Sequence, residues 1–353
     1  MKPEAEESSR KPTQTTPAGA DAPEEQVELY DDATISRAFR WSLVVLGLIV
    51  AVTAAGLYWA KRKPAAAVPK LTQLSPPSAA PALTEEVPTA RFVDITAAAG
   101  IAFTHNNGAY GDKLLPESMA GGVAFLDYNN DGLPDLFFVN STYWPGHVPP
   151  GKQPTTMALY RNDGAGHFTE VTAEAGLDVS LYGMGVAVGD YDNDGWGDLF
   201  ISAVHGNRLY RNAGNGKFVD VTREAGLGGT GSDWSTSCGW FDYDNDGKLD
   251  LFVCNYVKWT KEIDFEVGYK LVGIGRAYGQ PRDYEGTFPL LYHNEGNGRF
   301  KEISAEAGVQ VKNPVTGVPA AKSLGMVPTD LDNDGWLDLV VANDTVQNYV
   351  FHN

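Results

Sequence analysis

The chain has 353 residues, 43% of them apolar, enough for a real core in one large domain or two modest ones. It sets 45 acidic against 27 basic side chains, a formal charge of -18. That balance argues against a nucleic-acid partner, whose phosphates ask for Lys and Arg.

Residues 1–36 are rich in Glu, Asp, Pro, Ser and Thr, a composition that predicts a disordered acidic tail. Residues 41–60, WSLVVLGLIVAVTAAGLYWA, hold no charge. At about 1.5 Å per residue they match the hydrocarbon core of a bilayer and predict one transmembrane helix. Trp41, Tyr58 and Trp59 suit its interfaces. About forty residues precede the run, so it resembles a signal anchor more than a cleaved signal peptide. Arg37 and Arg40 stand before it, Lys61, Arg62 and Lys63 after it, a bias that points the C-terminal side to the cytoplasm. Residues 61–90 are rich in Pro and Ala and predict an extended linker. The folded domain is expected over 91–353.

That domain repeats itself. One unit reads FLDYNNDGLPDLFFV (125–139), VGDYDNDGWGDLFIS (188–202), WFDYDNDGKLDLFVC (240–254) and PTDLDNDGWLDLVVA (328–342). A second reads LYRNDGAGHFTEVTAEAGL (159–177), LYRNAGNGKFVDVTREAGL (209–227) and LYHNEGNGRFKEISAEAGV (291–309), with a partial copy RFVDITAAAGI at 91–101. Short apolar runs such as LFFV and LFIS predict strands buried on both faces, and the Gly-rich pieces predict hairpins. Two hairpins per copy make four strands, the unit of a β-propeller. The expected fold is therefore all-β, an integrin-α-type propeller behind one transmembrane helix. About four blades are present, and the lone 91–101 copy supplies a closing strand. The chain stops at FHN, the residues that precede a Gly turn in the other copies, so a C-terminally truncated propeller is expected. Insertions at 141–158 and 256–290 lengthen the first and third copies.

Counted from the first aspartate, positions 1, 3, 5 and 9 of the loops are Asp127, Asn129, Asp131 and Asp135; Asp190, Asp192, Asp194 and Asp198; Asp242, Asp244, Asp246 and Asp250; Asp330, Asp332, Asp334 and Asp338. Position 6 is always Gly, permitting a sharp turn. Position 7 would offer a backbone carbonyl from Leu133, Trp196, Lys248 and Trp336. Alternating oxygens in a wrapped loop are what a hard cation such as Ca²⁺ wants. About four Ca²⁺ ions are expected, taking the formal charge from -18 to -10. Position 12 holds Phe138, Ile201, Val253 and Val341 where an EF-hand needs Glu, so these are not EF-hands. The competing account is an Asp/Gly-rich turn without metal.

Cys238 and Cys254 lie symmetrically about Asp246. Two inert buried thiols, a cross-strand disulfide and a metal pair all remain open at this point. His105 and His147 sit in irregular segments and are candidates for a surface site; Trp144, Trp234, Trp259 and Tyr269 are candidates for a groove or for packing. No metalloprotease, nucleophile-elbow, P-loop or dinucleotide motif appears.

The units GGVAFLDYNNDGLPDLFFVN, GVAVGDYDNDGWGDLFIS and LYRNxGxGxFxxVTxEAGL resemble bacterial FG-GAP/VCBS-repeat proteins of the cartilage-acidic-protein-like type, associated with an ASPIC/UnbV domain. The resemblance spans about 91–353 and leaves out that C-terminal domain. It implies a propeller, commonly seven-bladed, with calcium in its loops. It also implies a periplasmic or extracellular position and a role in binding or adhesion toward an unknown protein or glycan. Low cytosolic calcium agrees with that side of the membrane, against the Lys/Arg count. The function expected from sequence is thus a membrane-anchored calcium-binding propeller module for adhesion. The alternatives are an extracytoplasmic lyase, hydrolase or oxidoreductase with a site on the propeller face, and a purely structural assembly protein.

Overall fold

The computed structural model describes residues 32–61, 91–229 and 233–353. The chain divides into two units, residues 1–89 and 90–353. Most of the expected tail and all but the first residue of the expected linker lie outside the described residues.

In the first unit, helix α1 runs Asp32–Lys61. Its stretch Phe39–Tyr58 is long and apolar enough to cross a membrane, and the side chains described along it are exposed. The helix begins nine residues before the apolar run read from sequence.

In the second unit, each pair of hairpins forms its own antiparallel sheet. The first sheet is β1 (Val123–Leu126), β2 (Asp135–Phe138), β3 (Ala158–Gly164) and β4 (His167–Glu170), in that order. The second is β5 (Tyr182–Gly189), β6 (Asp198–Val204), β7 (Arg208–Asn212) and β8 (Phe218–Asp220), followed by the single-turn helix α2 (Thr222–Ala225). The third begins with β9 (Ser235–Phe241) and β10 (Asp250–Asn255). The chain then leaves through helix α3 (Lys261–Val267) and a ribbon of β11 (Lys270–Leu271) and β12 (Gly275–Arg276). It returns as β13 (Leu290–Gly296) and β14 (Arg299–Glu302). The fourth sheet is β15 (Ser323–Thr329), β16 (Asp338–Asn343) and β17 (Tyr349–Phe351).

The apolar runs follow from how the sheets stack. Leu199 and Ile201 of β6 pack with Phe137, Val139 and Leu159 of the first sheet. Phe200, between them, points the other way and packs with Leu251, Val253 and Tyr292 of the third. Phe252 and Cys254 of β10 then meet Leu339 and Val341 of β16. With a side-chain period of two, a strand covered on both faces must be apolar at every position. The first strands β1, β5, β9 and β15 lie side by side across the sheets. That approach needs glycine: a Cβ on Gly185 would sit 2.6 Å from the Thr236 carbonyl oxygen.

The expected all-β propeller is overturned. The strands form separate small sheets of four, four, four, three and two strands, and none closes or curls into a ring. Each sheet packs on the next, and among the described residues no packing of that extent joins the fourth to the first. The segment 91–101, expected as a closing strand, forms no strand: residues 91–95 are irregular and exposed, and 96–100 make a turn whose Ala99 carbonyl accepts from the Phe168 amide at 2.9 Å. With no ring there is no propeller face, so adhesion or catalysis on such a face falls with it.

Candidate metal centre

Each aspartate loop connects the first two strands of its sheet. The position-1 carboxylate accepts from the amides at positions 5 and 6; for Asp190 these are Asp194 at 2.9 Å and Gly195 at 2.8 Å. Asp242 holds Asp246 and Gly247 in the same way, and Asp330 holds Asp334 and Gly335. The position-5 carboxylate accepts from the position-7 amide, tying down Leu133, Trp196, Lys248 and Trp336 at 2.9–3.0 Å. The loop therefore wraps around its own carboxylates. Position 4 takes a left-handed backbone at Asn130, Asn193, Asn245 and Asn333, a conformation Asn tolerates.

Position 9 opens the second strand and is almost fully buried at Asp135, Asp198, Asp250 and Asp338. Its two oxygens accept from the position-2 amide and from the asparagine that ends YRN, YHN or FHN: Asn162, Asn212, Asn294 and Asn353, at 2.7–2.9 Å. Burial pushes Asp198 up to about 7 and Asp250 up to about 6, against those amide bonds. Asp338 goes the other way, held down to about 2 by the Asn353 and Leu331 amides and the His352 ring. There hydrogen bonding outweighs desolvation.

Several acidic and Asp/His groups in these loops could hold a divalent ion. Asp190, Asp192 and Asp194 bring ligand atoms within 4.8 Å of one another, as do Asp242, Asp244 and Asp246, and Asp330, Asp332 and Asp338. Two further groups include histidine: Asp244, Asp250 and His293, and Asp332, Asp334 and His352. The first loop differs, because the Asn129 amide donates to Asp131 at 2.9 Å. The donor set fits a hard cation in one further respect. Oδ1 of Asp192 and Oδ1 of Asp244, both at position 3, are shut from solvent and have no hydrogen-bond partner. A buried carboxylate oxygen without a donor is costly unless a positive charge meets it. Beside Asp192, a groove of about 470 Å³ opens between the second and third loops, lined by Arg211, Lys248 and Asn294 among others.

Neighbouring loops are also tied to each other. The position-4 side chains of Asn130, Asn193 and Asn245 each donate 3.1 Å to the position-6 carbonyl of the following loop, at Gly195, Gly247 and Gly335. In return, Asn212, Asn294 and Asn353 donate back to the position-2 carbonyls of Tyr128, Tyr191 and Tyr243 at 2.6–2.8 Å. Sequence reasoning passed over these asparagines. Their recurrence in all four copies of YRN, YHN or FHN was the available signal.

The other sequence candidates are placed differently. Cys238 and Cys254 are separate thiols. The hairpin pairs Val253 with Cys238 and Ser237 with Cys254, one residue off the symmetric register. That slip puts the two cysteines on opposite faces, Cys238 toward the second sheet and Cys254 toward the fourth. Trp144, Trp234 and Trp259 are buried in one aromatic cluster with Tyr182 and Tyr256, so they line no groove for a protein or glycan. His147 stacks on Tyr110, and His105 keeps both ring nitrogens buried without partners. The two insertions do meet, on the segment around residue 115. Glu117 accepts from Trp144 Nε1 at 3.1 Å and Tyr278 at 3.3 Å. Asp264 accepts from Trp259 Nε1, the Leu115 amide and Arg276 at 2.7–2.8 Å. Asp264 is paired with Arg276, whereas Glu117 has only neutral donors, and the arrangement is a clasp between segments.

Comparison with known proteins agrees with the repeat pattern. A model described as an FG-GAP-like repeat matches residues 127–201 and 190–253. Cartilage acidic protein 1 of Mus musculus and that of Homo sapiens are each 26% identical over 187 residues, covering 52% of this chain and 24% of theirs. The chain thus spans about a quarter of the length of these curated relatives. A solved structure on the recognition of non-reducing terminal N-acetylglucosamine by an Agrocybe aegerita lectin covers 62% of this chain and 46% of its own, at 17% identity and a TM-score of 0.30. That likeness is too loose to define a common fold. Over residues 127–253 the chain is thus similar to FG-GAP-like repeats, and it is distantly similar to cartilage acidic protein 1.

Proposed function

We propose that the aspartate loops are structural cation sites, that Ca²⁺ is the ion they take, and that the domain over 91–353 is a cation-locked row of sheets tethered to a membrane through residues 41–60. The ligands are the side chains at positions 1, 3, 5 and 9 of each loop, with Asn129 in the first, and the position-7 carbonyls of Leu133, Trp196, Lys248 and Trp336. The observation that carries this reading is the pair of buried, unpartnered oxygens on Asp192 and Asp244. A hard divalent ion satisfies them and offsets the repulsion among fifteen aspartates in four loops. Calcium suits the oxygen-rich, flexible loop better than magnesium, which asks for a tighter octahedron. Because the loops tie neighbouring sheets together, binding energy becomes folding energy.

Calcium at millimolar levels outside the cytosol favours placing this domain on the extracytoplasmic side. The resemblance to cartilage acidic protein points the same way. Thermal unfolding of the full chain in detergent, with chelator and with millimolar Ca²⁺ or Mg²⁺, tests the metal reading. A clear rise in Tm with Ca²⁺, larger than with Mg²⁺, is expected, and no rise with either ion rejects it. Protease accessibility of the domain in intact cells tests its side of the membrane.

A further inference from the structure

The residue before the paired asparagine is Arg161, Arg211, His293 and His352 in the four copies. The arginines bring no metal donor. Arg161 turns to Asp163 at 2.8 Å, and Arg211 Nη1 stands 4.0 Å from Asp192. The histidines lean over the loop instead. His293 Nδ1 lies 3.2 Å from Asp250 Oδ1 and 3.5 Å from Asp244 Oδ2, with the Tyr243 hydroxyl also at 3.5 Å.

We propose that the third loop holds a second kind of site, a mixed nitrogen–oxygen centre of Asp244, Asp250 and His293 that takes a borderline transition-metal ion of the Zn²⁺ or Co²⁺ class. It rests on the preceding reading only in taking the loop as a cation site. Donors about 2.1 Å from such an ion, at 90–109° to one another, stand about 3.0–3.4 Å apart. The 3.2 Å from His293 to Asp250 falls at that spacing, and the 3.5 Å to Asp244 stands just beyond it. Imidazole nitrogen favours Zn²⁺ and Co²⁺ over Ca²⁺, which takes oxygen. The Lys248 ammonium already sits on Asp246 and competes there with calcium, so in this loop Asp244 and Asp250 are shared between the oxygen-only set and the set that includes His293. Asp250 is fully buried and oriented by the Asn294 and Tyr243 amides, so it is held in place before any ion arrives. Asp244 keeps a buried oxygen with no partner beside this group. The corresponding His352 is largely exposed, which makes the third loop the stronger site.

Cobalt tests this on the full chain in detergent, stripped with chelator and titrated with Co²⁺ in excess Ca²⁺. The wild type should show the visible ligand-field band of a bound N/O cobalt centre. His293→Arg installs the residue of the first two copies. It should lose that band and weaken Co²⁺ binding by at least about tenfold while keeping its Ca²⁺-dependent Tm shift. Asp244→Asn, which keeps the imidazole, should weaken Co²⁺ as well. An unchanged band in His293→Arg overturns the proposal, as does a band lost only in His352→Arg. Absence of any band in the wild type leaves a plain His–Asp ion pair and also overturns it. A wild type that binds Co²⁺ through His293 without responding to Ca²⁺ rejects the calcium reading and leaves this one standing.

Discussion

The Asn212 side-chain amide donates 2.8 Å to the Tyr128 carbonyl, across 84 residues and from one sheet into the aspartate loop of the sheet before it. Its own backbone amide simultaneously holds Asp198 at 2.8 Å. One residue therefore grips the buried carboxylate of its own loop and the backbone of the preceding one. Asn294 repeats both bonds one copy later.

Asn212→Ala should destabilise the domain by about 1–3 kcal/mol, the cost of stranding buried polar groups. Asn162 holds Asp135 and the Pro134 carbonyl, and among the described residues its side chain makes no bond to another sheet. Asn162→Ala should therefore cost less. Denaturant unfolding of the two variants checks this, and equal losses would remove the inter-sheet bond as the cause.

Asp192→Asn should show opposite signs in two conditions. In chelator it removes a carboxylate whose pKa burial and the flanking Asp194 and Asp190 raise, so Tm should hold or rise. In millimolar Ca²⁺ it removes a ligand, so the calcium-induced rise in Tm should shrink. A variant with the full wild-type calcium response would take Asp192 out of the ligand set.

Glu117 should set part of the pH dependence. Burial raises its carboxyl above the ordinary glutamate range, against hydrogen bonds from Tyr278, the Leu114 region and Trp144. The folded chain then binds this proton more tightly than the unfolded chain. Its contribution to stability is fully present below the unfolded value and is lost as pH rises through the folded one. Glu117→Gln should flatten Tm against pH across that window and raise Tm above it. A slope the same as wild type would assign the effect elsewhere.

Cys238 and Cys254 should stay reduced and slow to react. Burial pushes Cys238 up to about 12 and raises Cys254 as well, so little thiolate exists at neutral pH. Alkylation of the native protein should be slow and should quicken only on unfolding. A mild oxidant should leave no reducible cross-link, because the register sets the thiols on opposite faces.

Much of the local structure was legible beforehand. The apolar run within 41–60 appears inside α1, and all four Asp hairpins and three Gly hairpins form where the repeats put them. The wrap of Asp190 around the Gly195 amide is likewise a property of a few consecutive residues. Such features depend on period, turn residues and neighbours within about ten positions, all of which a linear chain displays.

The rest depended on how distant segments meet. Whether a row of sheets closes is set by the packing of β1, β5, β9 and β15, which repeat identity does not specify. An eight-residue connection between Phe241 and Asp250, one fewer than symmetry about Asp246 suggests, turned Cys238 away from Cys254. Trp144 and Trp259 read as candidates for a groove until the two insertions folded onto each other and buried them. His293 stands 43 positions from Asp250 in the chain and 3.2 Å away in space, a proximity created by pairing β10 with β13. The amino-acid order alone determined the repeated turns and their oxygen donors; only tertiary packing decided which turns brace one another and which acquire a nitrogen. The physical reason is that local hydrogen bonding needs only neighbours in sequence, whereas burial and donor geometry need neighbours in space.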